Sequence, residues 1–261
     1  MSKYLNMLVY EFKNIIRDKM TMMLLVYPLF IIAVGAFIIP TLIENYGSGE
    51  GRLTASLVVI IVFSSLVPFI TGAMLGFNLL DHKDEHTLNT IRVTPLTMKG
   101  YILFKSTYAY LLSVFAAFFS IFGVKHLSGD GYQIGQVNLW EMFTWGDILA
   151  YALVASLFTP FFALFLAAIG KNKIEGFAYM KTSGIFVLLP VLVIIETMQD
   201  WKQYLLGVLP IFWPVKAMLV DIEMLDHAHN LPGPLYHGIG IIYMSALIIV
   251  AYRFFESKIQ S

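Results

Sequence analysis

Five stretches of this chain hold no Asp, Glu, Lys or Arg: residues 20–43, 53–80, 106–124, 148–170 and 230–252. About 20 helical residues cross a hydrocarbon core of roughly 30 Å, so each stretch can span a bilayer. In lipid every backbone polar group must be satisfied internally, and an isolated apolar run meets that condition only as a helix. Residues 182–197 are fewer and contain Glu196, but make a sixth span once residues 177–181 extend them. Only 13% of the residues are charged, about half the share of a soluble domain. The expected fold is an all-α integral membrane protein with six transmembrane helices, read as one unit over residues 1–261.

Residues 203–215, "QYLLGVLPIFWPV", are too few to cross and contain Pro210 and Pro214. They predict a broken re-entrant or interfacial element within an outer region, 199–229. A seventh span is the alternative. With six spans, Lys3, Lys13, Arg17, Lys19, Lys83, Arg92, Lys99, Lys105, Lys171, Lys173, Lys181, Arg253 and Lys258 share the side of both termini. Arg52, Lys125, Lys202 and Lys216 fall on the other. Cytoplasmic loops carry the excess of basic residues, so both termini are expected in the cytoplasm. A seventh span would weaken that bias. Trp140, Trp145, Trp201 and Trp213 all fall in outer loops or at outer helix ends, where indole anchors at the headgroup level. Residues 3–19 place Leu5, Leu8, Val9, Phe12 and Ile16 on one helical face, with Lys13 and Arg17 elsewhere. That pattern predicts an amphipathic helix on the membrane surface, in preference to a cleaved signal or a plain extension of the first span.

The chain's formal charge is zero, so nothing in it recruits nucleic acid. It has no cysteine, which removes disulfides and thiolate chemistry and suits a bacterial cell membrane. No phosphate loop, H-E-x-x-H or G-x-S-x-G occurs. "DHAH", Asp226 to His229, has the residue types for a weak metal site but reads as a solvated loop. No cofactor or metal is expected in the chain. Lys105 is expected to snorkel from the start of the third span, and Glu196 and His237 to reach water at outer ends. Ion-coupled carriers place acids near the bilayer middle, and these spans hold none. Energy for any transport must then come from elsewhere. Pro28, Pro68, Pro160 and Pro190 can kink the first, second, fourth and fifth spans. Gly72 and Gly76, in "GAMLG", let another helix approach the second span closely, within the chain or across a dimer seam.

Between the second and third spans lies a polar island, "DHKDEHTLNTIRVTPL", in the loop 81–99. Asp84 and Glu85 suit the start of a short helix, and Thr94 before Pro95 suits its end. Leu88 and Ile91 share a face beside Arg92, so the helix shows apolar surface with no core of its own to enter. At this point the residues resemble the cytoplasmic signature of ABC exporter permeases. Lys83, Asp84, Glu85, Thr87, Leu88, Thr94 and Pro95 match it, and His86 stands where that signature has glycine. The layout matches too: surface helix, six spans, signature after the second, broken outer segment before the sixth. "RVTPL" and "GY" resemble the drug-export branch most.

The resemblance implies a permease subunit that pairs with a second copy or a paralogous permease and binds two copies of a separate ABC ATPase. ATP and Mg would belong to that partner. Residues 84–93 would be a coupling helix seated in the ATPase, with Asp84, Glu85, His86, Thr87, Leu88, Ile91, Arg92, Thr94 and Pro95 at the contact. The implied function is export of a hydrophobic or amphipathic compound, such as a drug, antimicrobial peptide or lipid-like molecule. The chain itself would not be an enzyme. The rival readings are an ATPase-independent secondary transporter or channel, a lipid-modifying membrane enzyme using Asp226, His227 and His229, and a structural subunit.

Overall fold

The computed structural model describes residues 19–46, 49–84, 97–220 and 230–260. The surface helix expected at 3–19 lies outside them but for Lys19, which opens the first helix. Six helices are long and apolar enough to cross a membrane: Val26–Ile43, Glu50–Asp84, Met98–Leu127, Trp145–Ile169, Lys173–Ile194 and Gly233–Lys258. Among the described residues strand is confined to one hairpin, β1 (Gln133–Ile134) with β2 (Val137–Asn138), in the loop after the third span. The fold is all-α.

Three spans are unbroken helices: α3 (Glu50–Asp84), α4 (Met98–Leu127) and α10 (Gly233–Gln260). The other three are interrupted, each near a proline. In the first, α1 (Lys19–Ala33) passes through a π-helical turn at Val34–Ile38 into α2 (Ile39–Ile43), where Pro40 sits. In the fourth, α5 (Trp145–Ala155) yields to α6 (Phe158–Ile169) two residues before Pro160. In the fifth, α7 (Lys173–Ser183) and α8 (Ile185–Leu188) wind down into a 3-10 stretch, Leu189–Ile194, that holds Pro190. Pro68 leaves α3 continuous.

The third span begins at Met98 rather than near residue 106. Lys105 is therefore not a snorkelling terminal residue. It is buried two turns inside α4, where its Nζ donates to Asn78 Oδ1 at 3.0 Å and stands 5.9 Å from the Tyr101 ring.

Packing centres on the fourth span, where 78% of an apolar 18-residue stretch is buried, against 17% of such a stretch in the fifth. The most extensive helix contact joins α3 to α6. Lipid tails are as apolar as leucine, so close packing and polar contacts hold such helices together. Gly72 and Gly76 lie at that contact. A Cβ on Gly72 would stand 3.0 Å from the Thr159 carbonyl oxygen, and one on Gly76 would stand 2.8 Å from Leu166 Cδ2.

Near the midpoint of α3, polar atoms tie four spans together. Proline has no N–H to donate, so a helix is weakened around it. Beside Pro68, Thr159 Oγ1 of α6 donates to the Pro68 carbonyl at 3.1 Å and lies 2.9 Å from Ser113 Oγ of α4. Thr71 Oγ1 donates to the Val67 carbonyl at 2.9 Å and bonds Tyr27 of α1 at 2.8 Å.

The segment before the last span is broken. A 3-10 stretch, Trp201–Val208, turns at Pro210 into α9 (Phe212–Leu219). α9 packs among α5 and α10 with Phe212, Val215, Lys216 and Leu219 buried. Irregular backbone is tolerated at such depth only inside protein. Two of the four tryptophans are not plain surface anchors. Trp140 is buried, and half-buried Trp213 donates its indole N–H to the Gly207 carbonyl at 3.0 Å. Trp145 and Trp201 are exposed.

Candidate functional site

The last turn of α3, Asp81 to Asp84, is the first part of the polar island. Asp84 is exposed and is the last described residue before the gap. Glu85, His86, Thr87, Leu88, Ile91, Arg92, Thr94 and Pro95 lie outside the described residues. The Thr97 side chain caps α4 by accepting from the Gly100 N–H at 3.1 Å.

Both flanks of the island are fastened to the spans. Lys83 Nζ donates to the carbonyls of Ala167 (3.3 Å) and Gly170 (3.0 Å) at the C-terminal end of α6. Those carbonyls carry the negative end of the helix dipole, so an ammonium there is doubly favoured. Asp81 Oδ2 pairs with Lys173 Nζ at 2.8 Å, at the first residue of α7. His82 Nδ1 bonds the Tyr101 hydroxyl of α4, and Lys105 reaches back to Asn78. Through these contacts a push on the island would reach α3 and α4 directly, α6 through Lys83 and α7 through Asp81.

Beside this end, α3 and α7 flank an apolar groove of about 460 Å³. Phe69, Ile70, Met74 and Phe77 form one wall and Phe177 and Met180 the other, with Lys173 at the rim. Phe69 is itself backed by Phe162 of α6, ring centroids 4.8 Å apart. Aromatic rings and flexible thioethers suit flat, apolar guests of varied shape. No group of three or more His, Asp or Glu that could hold a metal occurs among the described residues. Asp226, His227 and His229 lie outside them.

Sequence reasoning named Asp84 for this site but missed Asn78, Asp81, His82, Tyr101, Lys105 and Lys173. The one signal was Lys105, a cation close to an otherwise uncharged run. Its partner Asn78 stands 27 residues earlier on another helix.

Residues 11–252 match the family described as fluoroquinolones export permease protein Rv2686c-like. The fluoroquinolones export permease protein of Mycobacterium tuberculosis, in strains H37Rv and CDC 1551 / Oshkosh, is 25% identical over 255 residues. That alignment covers 95% of this chain and 92% of the relative. With a match over nearly its whole length and six membrane-spanning helices, the chain belongs to the Rv2686c-like family of export permeases.

Proposed function

We propose that this chain is the membrane subunit of an ATP-driven ABC exporter. It acts as a dimer with a second copy or a paralogous permease. Two copies of a separate ATPase dock on residues 84–95, and a flat amphipathic drug of the fluoroquinolone kind leaves the cell. The observation that carries this reading is the fastening of the island's two flanks. A docked ATPase that displaces residues 84–97 would move α3 and α4, and through Lys83 and Asp81 also α6 and α7. That motion would widen or close the aromatic groove between α3 and α7. The export permease relatives support the direction and the cargo class. Both termini would lie in the cytoplasm, as the basic residues favour. The charged side chains buried among the described residues are lysines, Lys105 and Lys216, which favours hydrolysis in a partner over an ion gradient as the energy source.

The test expresses the chain with a candidate ABC ATPase partner and measures fluoroquinolone accumulation in cells and ATP hydrolysis in proteoliposomes. Reversing charge with Asp84→Lys and Glu85→Lys is expected to abolish export at least tenfold while each protein stays folded. Unchanged export and unchanged drug-stimulated hydrolysis would sink the coupling assignment.

A further inference from the structure

A second groove, of about 390 Å³, opens on the opposite side of α6, between α4 and α10. Its inner wall is Ile102, Leu103, Leu164, Ile248 and Ile249, and its mouth holds Lys99, Arg253 and Glu256. Leu103 and Ile249 are more than half exposed, so on a membrane-spanning helix lipid can reach them. From Ile248 to Glu256 the groove follows α10 for about 12 Å, from apolar depth to the level of the charged helix ends.

The mouth has a definite charge pattern. Lys99 at the start of α4 and Arg253 near the end of α10 supply two cations, and neither forms an ion pair among the described residues. Glu256, one turn beyond Arg253, adds a carboxylate whose Oε1 accepts from the Tyr252 hydroxyl at 3.4 Å. An apolar channel under paired cations fits a phospholipid, with its phosphate at Lys99 and Arg253 and a chain against Leu103 and Ile249. The carboxylate narrows the headgroup. It would repel a purely anionic one, and it can accept hydrogen bonds from a primary ammonium, which a quaternary choline does not donate.

We infer that the groove between α4 and α10 binds one aminophospholipid of the adjacent leaflet, phosphate at Lys99 and Arg253, ammonium at Glu256. The lipid would wedge the two helices apart, on the side of α6 away from the aromatic groove.

Native mass spectrometry tests this with the full chain in the assembly it purifies with, given equal amounts of phosphatidylethanolamine, phosphatidylcholine and phosphatidylglycerol. Phosphatidylethanolamine is expected to be retained at least fivefold over the other two. Glu256→Gln should erase that preference over phosphatidylcholine. Lys99→Ala with Arg253→Ala should weaken retention of all three. These side chains are exposed, so folding is not at stake. Leu103→Trp, which fills the groove, should expel the lipid. Equal retention of all headgroups, or a preference that survives Glu256→Gln, overturns the assignment. So does a groove covered by a second copy, seen as a Leu103→Cys cross-link between chains. None of these readouts depends on transport.

Discussion

The fourth and fifth spans are built alike and placed differently. Both are interrupted helices with a proline at or near the break, yet 78% of an apolar 18-residue stretch of the fourth is buried and only 17% of one in the fifth. The fourth is gripped from all sides. α3 lies against it at Gly72 and Gly76, Thr159 bonds the Pro68 carbonyl, and Lys83 caps its end. The fifth touches the bundle along α3, leaving Ile174, Phe177, Ile185 and Leu188 largely exposed. In water such exposure would be costly, but in lipid it costs almost nothing, so the fifth span is held by fewer contacts than the fourth. A proline break buried in a packed pillar is held in one shape by its neighbours. The same break on a loosely held wall is a place where the wall can bend.

The largest effect should come from the pillar. Gly72→Leu would set a side chain against the Thr159 backbone, 3.0 Å from its carbonyl oxygen and 3.2 Å from its Cα, and backbone does not yield as a flexible side chain does. Overpacking of this kind costs about 1–3 kcal/mol or more. The expected result is a melting temperature lowered by many degrees in detergent. An unchanged melting temperature would mean that the two helices are not in contact, and the contrast between the spans would fail.

Next in size is Lys83→Met, which keeps the stem and removes the charge. The carbonyls of Ala167 and Gly170 then lose a charge-assisted partner, a loss of about 1 kcal/mol. Thr159→Val follows. Polar contacts between membrane helices average about 0.6 kcal/mol, and this change leaves the Pro68 carbonyl and Ser113 without their shared partner. Thermal melts of the two variants should rank in that order, both well below Gly72→Leu. If Thr159→Val proved the most damaging, the polar contacts near Pro68 rather than close packing would hold the pillar.

Legibility from sequence followed the same division. Absence of charge located five spans because a bilayer core penalises any unmet charge, and that rule needs no partner. It failed where a partner supplied what water would have. Lys105 reads as a boundary in the sequence because Asn78 and Tyr101 meet it only after α3 and α4 pack. The fifth span starts at Lys173, well before the apolar run, where Asn172 caps the helix by accepting from the Glu175 N–H at 3.0 Å and Asp81, 92 residues earlier, pairs with Lys173. Trp140 and Trp213 looked like anchors because position along the chain cannot distinguish an outer loop folded over protein from one facing headgroups. The glycines of α3 were readable as a close contact, but not which helix fills it. For the island, the sequence shows composition, the proline stop and a motif, whereas the fastening of its flanks is tertiary.

The smallest effect on stability should fall on the fifth span, and it is the most informative about function. Met180→Trp puts a bulky ring into the groove between α3 and α7, on a helix with little packed against it. The groove has open space for the larger ring, so its melt should stay closer to that of the parent than those of the three variants above. If the groove is the path for a flat drug, export of a fluoroquinolone should fall severalfold while hydrolysis by the partner persists. The paired control is Leu188→Trp, on the same span at a position 58% exposed and outside the groove's lining, which should leave export intact. Equal export in both variants would separate the loosely held wall from the transport path. The difference between the two spans would then be one of packing alone.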